Sequence, residues 1–182
     1  MKITIGGTHG SGKSTVAKAI AERLSYKHYS AGILMRELAL KRGVSLMDFI
    51  KIAERDPSIN KETDERTRRI GKAEDNFVFD GHMAYHFIPD SIKVFLRVEL
   101  DIAARRIWAD LQAGRRVSEE ATSLDELKGL LRARAASEQK QYKAQYNADV
   151  FDERNFDFVL DTTGLTIEES VQKVVDFVLH KR

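Results

Sequence analysis

Cysteine is absent from this chain of 182 residues, and only two prolines occur. Without thiols the chain can form neither disulfides nor zinc–thiolate sites. No stretch approaches the roughly 18 consecutive apolar residues that a membrane-spanning helix needs, and the N-terminus shows no apolar signal segment. We therefore expect a cytoplasmic protein with no membrane partner.

An excess of charge of one sign is also missing. Thirty lysines and arginines stand against 28 aspartates and glutamates, which gives a net charge of +2. Because no long basic run accompanies this balance, we expect no nucleic-acid partner. The length suits one domain with a substantial core, and no internal repeat or linker divides it. We expect a monomer that acts on small molecules.

The most informative stretch is residues 2–15, K-I-T-I-G-G-T-H-G-S-G-K-S-T. It fits the pattern G-x-x-x-x-G-K-[ST] between a short β-branched run and a helical pattern, as a phosphate-binding loop requires. Backbone N–H groups of such a loop wrap nucleotide phosphates, its lysine reaches the outer phosphates, and its hydroxyl ligates Mg²⁺. The predicted nucleotide-binding residues are Gly7, Thr8, His9, Gly10, Ser11, Gly12, Lys13, Ser14 and Thr15.

Short apolar runs alternate with helical patterns along the whole chain. The predicted strands cover residues 3–5, 28–29, 77–79, 93–96 and 156–160. The predicted helices cover 33–41, a segment opened by Ser45, about 60–72, 101–111, 123–146, and a last helix opened by Thr166. This alternation predicts an α/β fold with a five-stranded parallel sheet and helices on both faces. Ligands bind at the carboxyl ends of such strands.

Asp80 directly follows the predicted strand 77–79. At the carboxyl end of a central strand, a carboxylate can hold Mg²⁺ through its waters. The alternative is a simple turn, because Asp-Gly is a common turn pair. His82 and His86 are four residues apart, a spacing found in metal sites on helices, but no third ligand is nearby in the sequence. We therefore do not predict that these two histidines bind a metal together.

Several arginines could contact phosphate. Arg36 lies near the predicted mouth of the sheet, and others surround the turn at Gly114 or lie on the helix after it: Arg105, Arg106, Arg115, Arg116, Arg132 and Arg134. The planar guanidinium group matches phosphate oxygens in geometry and charge. Any single arginine is more often a solvated surface residue, but we expect at least two of these to act on phosphate.

Several further segments, spread over nearly the whole chain, match the sequence pattern of one known protein family. They are Ser30-Ala31-Gly32 with Arg36, the stretch 56–64, Asp80-Gly81, Arg106, the segment 156–162, and a run on the predicted helix 123–146 and just after it that comprises Arg134, Ser137, Glu138, Tyr142, Tyr146 and Asp149. Together with the phosphate loop, and taken in chain order, they resemble the nucleoside monophosphate kinases, and most closely the archaeal-type cytidylate kinases. Only the phosphate loop is specific by itself, so the order of the segments carries the resemblance.

The resemblance implies a phosphate-loop NTPase fold of the nucleoside monophosphate kinase type. Its core would comprise residues 1–30, 77–104 and 135–182, with a helical acceptor-binding insert at about 31–76 and a lid at about 105–134. It implies transfer of the γ-phosphoryl group of ATP, with Mg²⁺, to a nucleoside monophosphate, with CMP or dCMP as the expected acceptor.

The resemblance also implies roles for individual residues. Lys13, Arg106 and Arg134 would be catalytic, and Ser14 and Asp80 would hold Mg²⁺. Arg36 would grip the acceptor phosphate. The full set expected to contact the acceptor is Ser30, Gly32, Arg36, Asp64, Asp80, Gly81 and His82.

Three departures from the family pattern leave the acceptor open. Ile33 replaces an aspartate, His82 an arginine, and Met83 an aspartate that helps to read cytosine in bacterial relatives. One alternative is a phosphate-loop kinase of another small metabolite, in which Asp80 would take a hydroxyl proton. The other is a nucleotide-dependent switch or assembly ATPase.

Overall fold

A computed structural model describes residues 1–44, 48–49, 52, 56–114 and 121–181. The five strands are β1 (Lys2–Gly7), β2 (Lys27–Ser30), β3 (Phe77–Asp80), β4 (Ile92–Arg97) and β5 (Phe158–Asp161). The helices in the described ranges are α1 (Lys13–Leu24), α2 (Ala31–Lys41), α3 (Pro57–Ala73), α4 (Ala84–Phe87), α5 (Leu100–Gln112), α6 (Leu124–Tyr146) and α7 (Ile167–His180), with a 3₁₀ turn at Glu153–Asn155.

The strands form one parallel sheet in the order β2-β3-β1-β4-β5. The parallel sheet confirms the predicted fold class. Strand β1 lies in the centre, so its carboxyl end at the phosphate loop has β3 on one side and β4 on the other. The register pairs Ile5 with Asp80, and Ser30 with the same Asp80 from the other side. The ends of three strands therefore meet at one edge.

Side chains alternate between the two faces of the sheet because the strand period is two. On one face, Ile3, Ile5, Val78 and Val94 pack against the buried residues of α1 and α7. On the other face, the rings of Phe77 and Phe79 pack with Leu34 of α2, Ala84 of α4 and Ile88. Burial of apolar side chains on both faces fixes the sheet between two helical layers.

The predicted helix starts at Ser123 and Thr166 are confirmed, and at both of them the side chain of the first residue caps the helix. Thr166 and Glu169 form a reciprocal capping box at α7, and the Ser123 hydroxyl accepts a hydrogen bond from the Glu126 N–H at α6. The predicted helix opened by Ser45 and the arginines at 115 and 116 fall outside the described residues.

Two short elements were not predicted, and one strand boundary was wrong. Helix α4 and the 3₁₀ turn each span one turn or less, too short to show a periodic apolar pattern. Strand β5 begins at Phe158, not at 156. Phe156 lies before the ladder, and its ring packs 4.9 Å from that of Phe95 and 4.7 Å from that of Tyr85.

Helix α6 connects two regions of the molecule. Its first half packs Leu127 and Leu131 against Ala104 and Ile107 of α5. Its second half contributes Tyr142 to an apolar cluster near α4. The proposed lid boundary at 134 falls within this continuous helix.

Within the described ranges, no helix is both long and apolar enough to cross a bilayer.

Candidate active site

The loop between β1 and α1 has the backbone that a phosphate cradle needs. Gly7, Gly10 and Gly12 all have positive φ angles, of 139°, 76° and 85°. A Cβ on Gly7 would lie 2.0 Å from the carbonyl oxygen of Leu96, and one on Gly10 would lie 2.7 Å from Cβ of Ala103. Glycine is therefore required at these two positions for both conformation and space.

The start of helix α1 faces this loop with its N–H groups. Gly12 is the N-cap residue, no side chain in the described part of the chain caps the helix start, and the first turn contains no acidic residue. Such a helix end favours a bound anion. The Lys13 ammonium donates to the carbonyl oxygens of Gly7 and Thr8 at 2.9 and 2.7 Å. The positive charge thus lies at the centre of the loop, beside the positions that phosphate oxygens would take.

The Asp80 carboxylate is held by groups from three elements. Its Oδ2 atom accepts hydrogen bonds from the Ser14 hydroxyl at 2.7 Å and the Ser30 hydroxyl at 3.1 Å. Its Oδ1 atom lies 2.8 Å from Nε2 of His28. A carboxylate oxygen accepts, so His28 donates in this contact in the tautomer that carries its hydrogen on Nε2. The predicted metal residues Ser14 and Asp80 are therefore in direct contact.

His28 is a site residue that the sequence analysis missed. It lies two residues before Ser30 on β2, so the strand alternation puts both side chains on the same face. The β2–β3 register pairs Ser30 with Asp80 and His28 with Val78, two residues before Asp80 on the same face, from where the His28 ring reaches the carboxylate. The period of two was a usable signal once β2 was assigned, but the strand neighbour of β2 could not be read from the sequence.

The predicted acceptor residues at the start of α2 lie beside the end of β3. A Cβ on Gly81 would lie 2.9 Å from Cβ of Ala31, which shows how closely the two turns approach. A Cβ on Gly32 would lie 3.9 Å from Nη1 of Arg36. The exposed Arg36 side chain therefore lies over the first turn of its own helix, at the same edge as Ser30 and Asp80.

The Arg106 side chain is held by hydrogen bonds to the loop after β5 and is only partly accessible to solvent. Its guanidinium donates to the Thr162 carbonyl at 2.7 Å, the Thr162 hydroxyl at 3.2 Å and the Leu165 carbonyl at 3.3 Å. The Thr162 hydroxyl lies 3.0 Å from the carbonyl oxygen of Arg97 and 3.2 Å from that of Ser11, and its single hydrogen can be donated to either. Arg106 therefore holds the loop after β5 in place, next to Ser11 of the phosphate loop.

Arg134 lies beside a buried group of three side chains. Its Nε atom donates to Oε1 of Glu138 at 2.9 Å. The other oxygen of Glu138 lies 3.0 Å from Nε2 of His9 and 3.5 Å from Nε2 of His82. The imidazole rings of His9 and His82 are 5.1 Å apart. The phosphate loop, through His9, the turn after β3, through His82, and helix α6, through Glu138, thus meet in one place.

His86, the other histidine of the 82/86 pair, is not part of this group: its ring lies 5.9 Å from that of Tyr146.

Asp64 joins helix α3 to helix α6. The Tyr146 hydroxyl donates to its carboxylate. Burial raises the pKa of Asp64 to about 6, although the Tyr146 hydrogen bond and the charge of Arg68 act in the opposite direction. The nearby Met83, a position of interest for base reading, is buried with Phe87 in the apolar cluster next to Tyr146.

The donor groups at this edge suit magnesium and nucleotide phosphates. Ser14 and Asp80 offer a hydroxyl and a carboxylate, the hard oxygen ligands that Mg²⁺ prefers. The glycine cradle and the uncapped start of α1 suit a polyphosphate. The residues present therefore fit both groups that the loop motif implies.

Comparison with known proteins agrees with this geometry. A family model described as an AAA domain matches residues 6–123. A cytidylate kinase from Methanococcoides burtonii is 34% identical over 179 residues, covering 97% of each chain. A cytidylate kinase from Desulfurococcus amylolyticus is 32% identical over 187 residues, covering all of this chain and 96% of its own. The chain belongs to the cytidylate kinase family.

Cytidylate kinase family membership confirms the resemblance that the segments from the phosphate loop to residue 162 indicated. Among solved structures, a shikimate kinase from Bacteroides thetaiotaomicron superposes with a TM-score of 0.66 at 16% identity, covering 98% of each chain. At that identity the likeness concerns the fold alone. The phosphate-loop kinase architecture is therefore shared, while the acceptor site must be argued from this chain's own residues.

Proposed function

We propose that this chain transfers the γ-phosphoryl group of ATP to a cytidine monophosphate, CMP or dCMP, giving ADP and the nucleoside diphosphate. The observation that carries the proposal is the full-length similarity to cytidylate kinases, at 34% identity over 97% of the chain. The phosphate loop in contact with the Asp80 carboxylate supports it, because the Ser14–Asp80 hydrogen bond joins the donor side to the acceptor edge.

The reaction needs positioning and charge neutralisation more than covalent chemistry from the protein. An oxygen of the acceptor phosphate forms the new bond to the γ-phosphorus, and the bond to the oxygen bridging the β- and γ-phosphorus atoms breaks, its electrons staying with ADP. A phosphate monoester is already anionic near neutral pH, since its second pKa is about 6. Asp80 therefore need not act as a base and can remain hydrogen-bonded to Ser14, Ser30 and His28.

Individual residues have distinct roles in this proposal. Ser14 would ligate Mg²⁺ directly and Asp80 through water; when bound, the ion supplies neutralisation of the donor phosphates. Lys13 would exchange its loop carbonyl partners for phosphate oxygens. Arg36 would bind the acceptor phosphate with Ser30, Gly32 and Gly81 beside it. Arg134 would offset charge from α6, whereas the contacts of Arg106 favour a bracing role.

The proposed domain roles rest on the same geometry. Residues 31–76 would form the acceptor-binding insert and 105–134 the lid, closing over the substrates and excluding water that could accept the phosphoryl group. Asp64 and His82 belong to the proposed acceptor side. Asp64 contacts Tyr146 and His82 contacts Glu138, which favours a role in holding α6 against α3 and against the turn after β3.

An ADP-release assay with a panel of acceptors tests the proposal. ATP and Mg²⁺ are supplied with CMP, dCMP, UMP, AMP, GMP, shikimate or no acceptor. We expect CMP and dCMP to give the highest kcat/KM, at least about tenfold above the other monophosphates. Turnover that is equal with and without a monophosphate would contradict the proposal, and a shikimate-dependent rate would favour a metabolite kinase.

A further inference from the structure

The side chains of His9, His82 and Glu138 form a compact cluster of potential metal ligands. Each offers a nitrogen or oxygen atom, and the three atoms lie within 4.8 Å of one another. The cluster is separate from the Ser14–Asp80 pair and comes from three elements: the phosphate loop, the turn after β3, and α6.

The atoms that face one another in the cluster are buried. Nε2 of His9 and Oε2 of Glu138 are inaccessible to solvent and lie 3.0 Å apart, but within the described part of the chain neither makes an aligned hydrogen bond. Nδ1 of His82, the ring nitrogen other than the one that faces Glu138, is buried and unpaired in the same way. The His9 side chain is only 9% exposed. Burying polar atoms without partners is costly, so such atoms in a folded protein call for a missing partner. A bound cation would be that partner.

The spacing and the chemistry of the cluster indicate which cation. Zinc bonds of about 2.0–2.1 Å to nitrogen or oxygen in a tetrahedron place neighbouring ligand atoms about 3.3 Å apart. The Glu138 oxygen lies 3.0 Å from Nε2 of His9 and 3.5 Å from Nε2 of His82, on either side of that value. Two imidazoles and one carboxylate select a borderline transition metal over Mg²⁺. A fourth position would remain for water or a phosphate oxygen.

The protonation states also suit a metal. Burial, together with the nearby charge of Lys13, lowers the pKa of His82 to about 3, and burial lowers the pKa of His9 despite the Glu138 carboxylate. Both rings are thus neutral near pH 7, with a lone pair to offer. Burial raises the pKa of Glu138, but the side-chain contact with His9 and the charge of Arg134 act in the opposite direction and hold it below the usual range.

We propose that His9, His82 and Glu138 form a binding site for one divalent transition-metal ion of the zinc type. Arg134 is the outer partner of the site: it donates to Oε1 of Glu138 and leaves Oε2 directed at the two histidines. The positive charges of Lys13 and Arg134 limit the affinity, so we expect a dissociation constant in the micromolar range. A metal here would tether α6 to the phosphate loop and to the end of β3.

Metal titration of the full chain tests this site directly. Zn²⁺ binding is followed by calorimetry and Co²⁺ binding by its visible d–d absorption, at neutral pH in excess Mg²⁺, which favours the oxygen ligands of Ser14 and Asp80. We expect one equivalent to bind. His9→Asn, His82→Asn and Glu138→Gln should each weaken binding by at least about 100-fold, more than loss of an outer-sphere partner.

His86→Asn and His180→Asn serve as controls, because these histidines lie outside the cluster and should leave the dissociation constant unchanged. Thermal unfolding in EDTA identifies any cluster variant that does not fold. The dissociation constants of the variants that do fold then test whether the three side chains bind the metal. The proposal is overturned if the wild-type chain shows no saturable binding below millimolar metal, or if folded cluster variants bind as tightly as the wild type. Neither readout depends on kinase activity.

Discussion

At the scale of single residues, the site combines side chains that the sequence identified with others that only the fold reveals. Lys13, Ser14 and Asp80 could be predicted because a loop motif and a strand end constrain their surroundings. His28 had no such local signal, and Glu138 was named only as part of the run that carries the family resemblance. Their positions in the site follow from strand pairing and helix packing, which bring residues 52 and 129 positions apart into contact with Asp80 and His9.

The hydrogen bond from His28 to Asp80 predicts a positioning role. His28→Ala should raise the Mg²⁺ concentration needed for half-maximal activity by about 10–100-fold, because outer partners orient metal-binding carboxylates. His28→Gln, which keeps a side-chain donor, should recover most of this loss, and the matched control His86→Ala should change nothing. Activity measured against Mg²⁺ concentration is the readout. An unchanged Mg²⁺ dependence in His28→Ala would remove His28 from the site.

At the scale of elements, the long regular helices and the strands were predicted and the short connections were not. Helix α7 carries an apolar pattern over many turns, whereas the buried residues of α6 are confined to Leu127 and Leu131; both helices have capping residues at their starts. Helix α4 has only four residues, so its assignment depends on the packing of Phe87 and Ala84 and not on a sequence period. The alternation of elements predicted a parallel sheet, but the neighbours of each strand depend on long-range packing.

The contact between α3 and α6 predicts a pH dependence of stability. The pKa of Asp64 is raised to about 6 in the folded chain, against 3.8 in its ordinary state. The folded state therefore holds the proton more tightly, and stability falls as pH rises from about 4 to about 6. A shift of this size corresponds to about 3 kcal/mol.

Asp64→Asn removes this titration. The free energy of unfolding of the variant, relative to the wild type, should therefore increase by about 3 kcal/mol between pH 4 and pH 7. Urea unfolding at several pH values measures it. The exposed neighbour variant Glu65→Gln is the control and should show a difference that is nearly independent of pH. A constant difference for Asp64→Asn would contradict the assigned pKa.

The packing of α5 against α6 should be required for the stability of the proposed lid base. Leu127 is fully buried between these helices, whereas Leu130, on the same helix, is 40% exposed. Leu127→Ala should lower the free energy of unfolding by about 2–5 kcal/mol, because it removes buried methyl groups and leaves a cavity. Leu130→Ala should cost less than about 1 kcal/mol. Equal losses in chemical denaturation would show that α6 does not pack on α5 as described.

At the scale of the whole molecule, one sheet edge collects the phosphate loop, the Asp80 carboxylate and the start of α2. A parallel sheet directs the carboxyl ends of its strands to one side, so residues distant in sequence form a single site there. The fold class and this edge could be predicted from the sequence. The choice of acceptor could not be predicted. Of the positions that depart from the family pattern, Ile33 is partly exposed on α2 and Met83 is buried in the core, and the sequence does not show which of them would contact a base.

Phosphorus NMR of the reaction mixture tests the central claim most directly. With ATP, Mg²⁺ and CMP, the account predicts that ADP and CDP appear in equal amounts. Lys13→Ala should slow this conversion by about 100-fold or more, as expected when a donor to the transferred group is lost, while the exposed control Lys18→Ala should keep the wild-type rate. Release of free phosphate with CMP unchanged would contradict the account and identify an ATPase in place of a kinase.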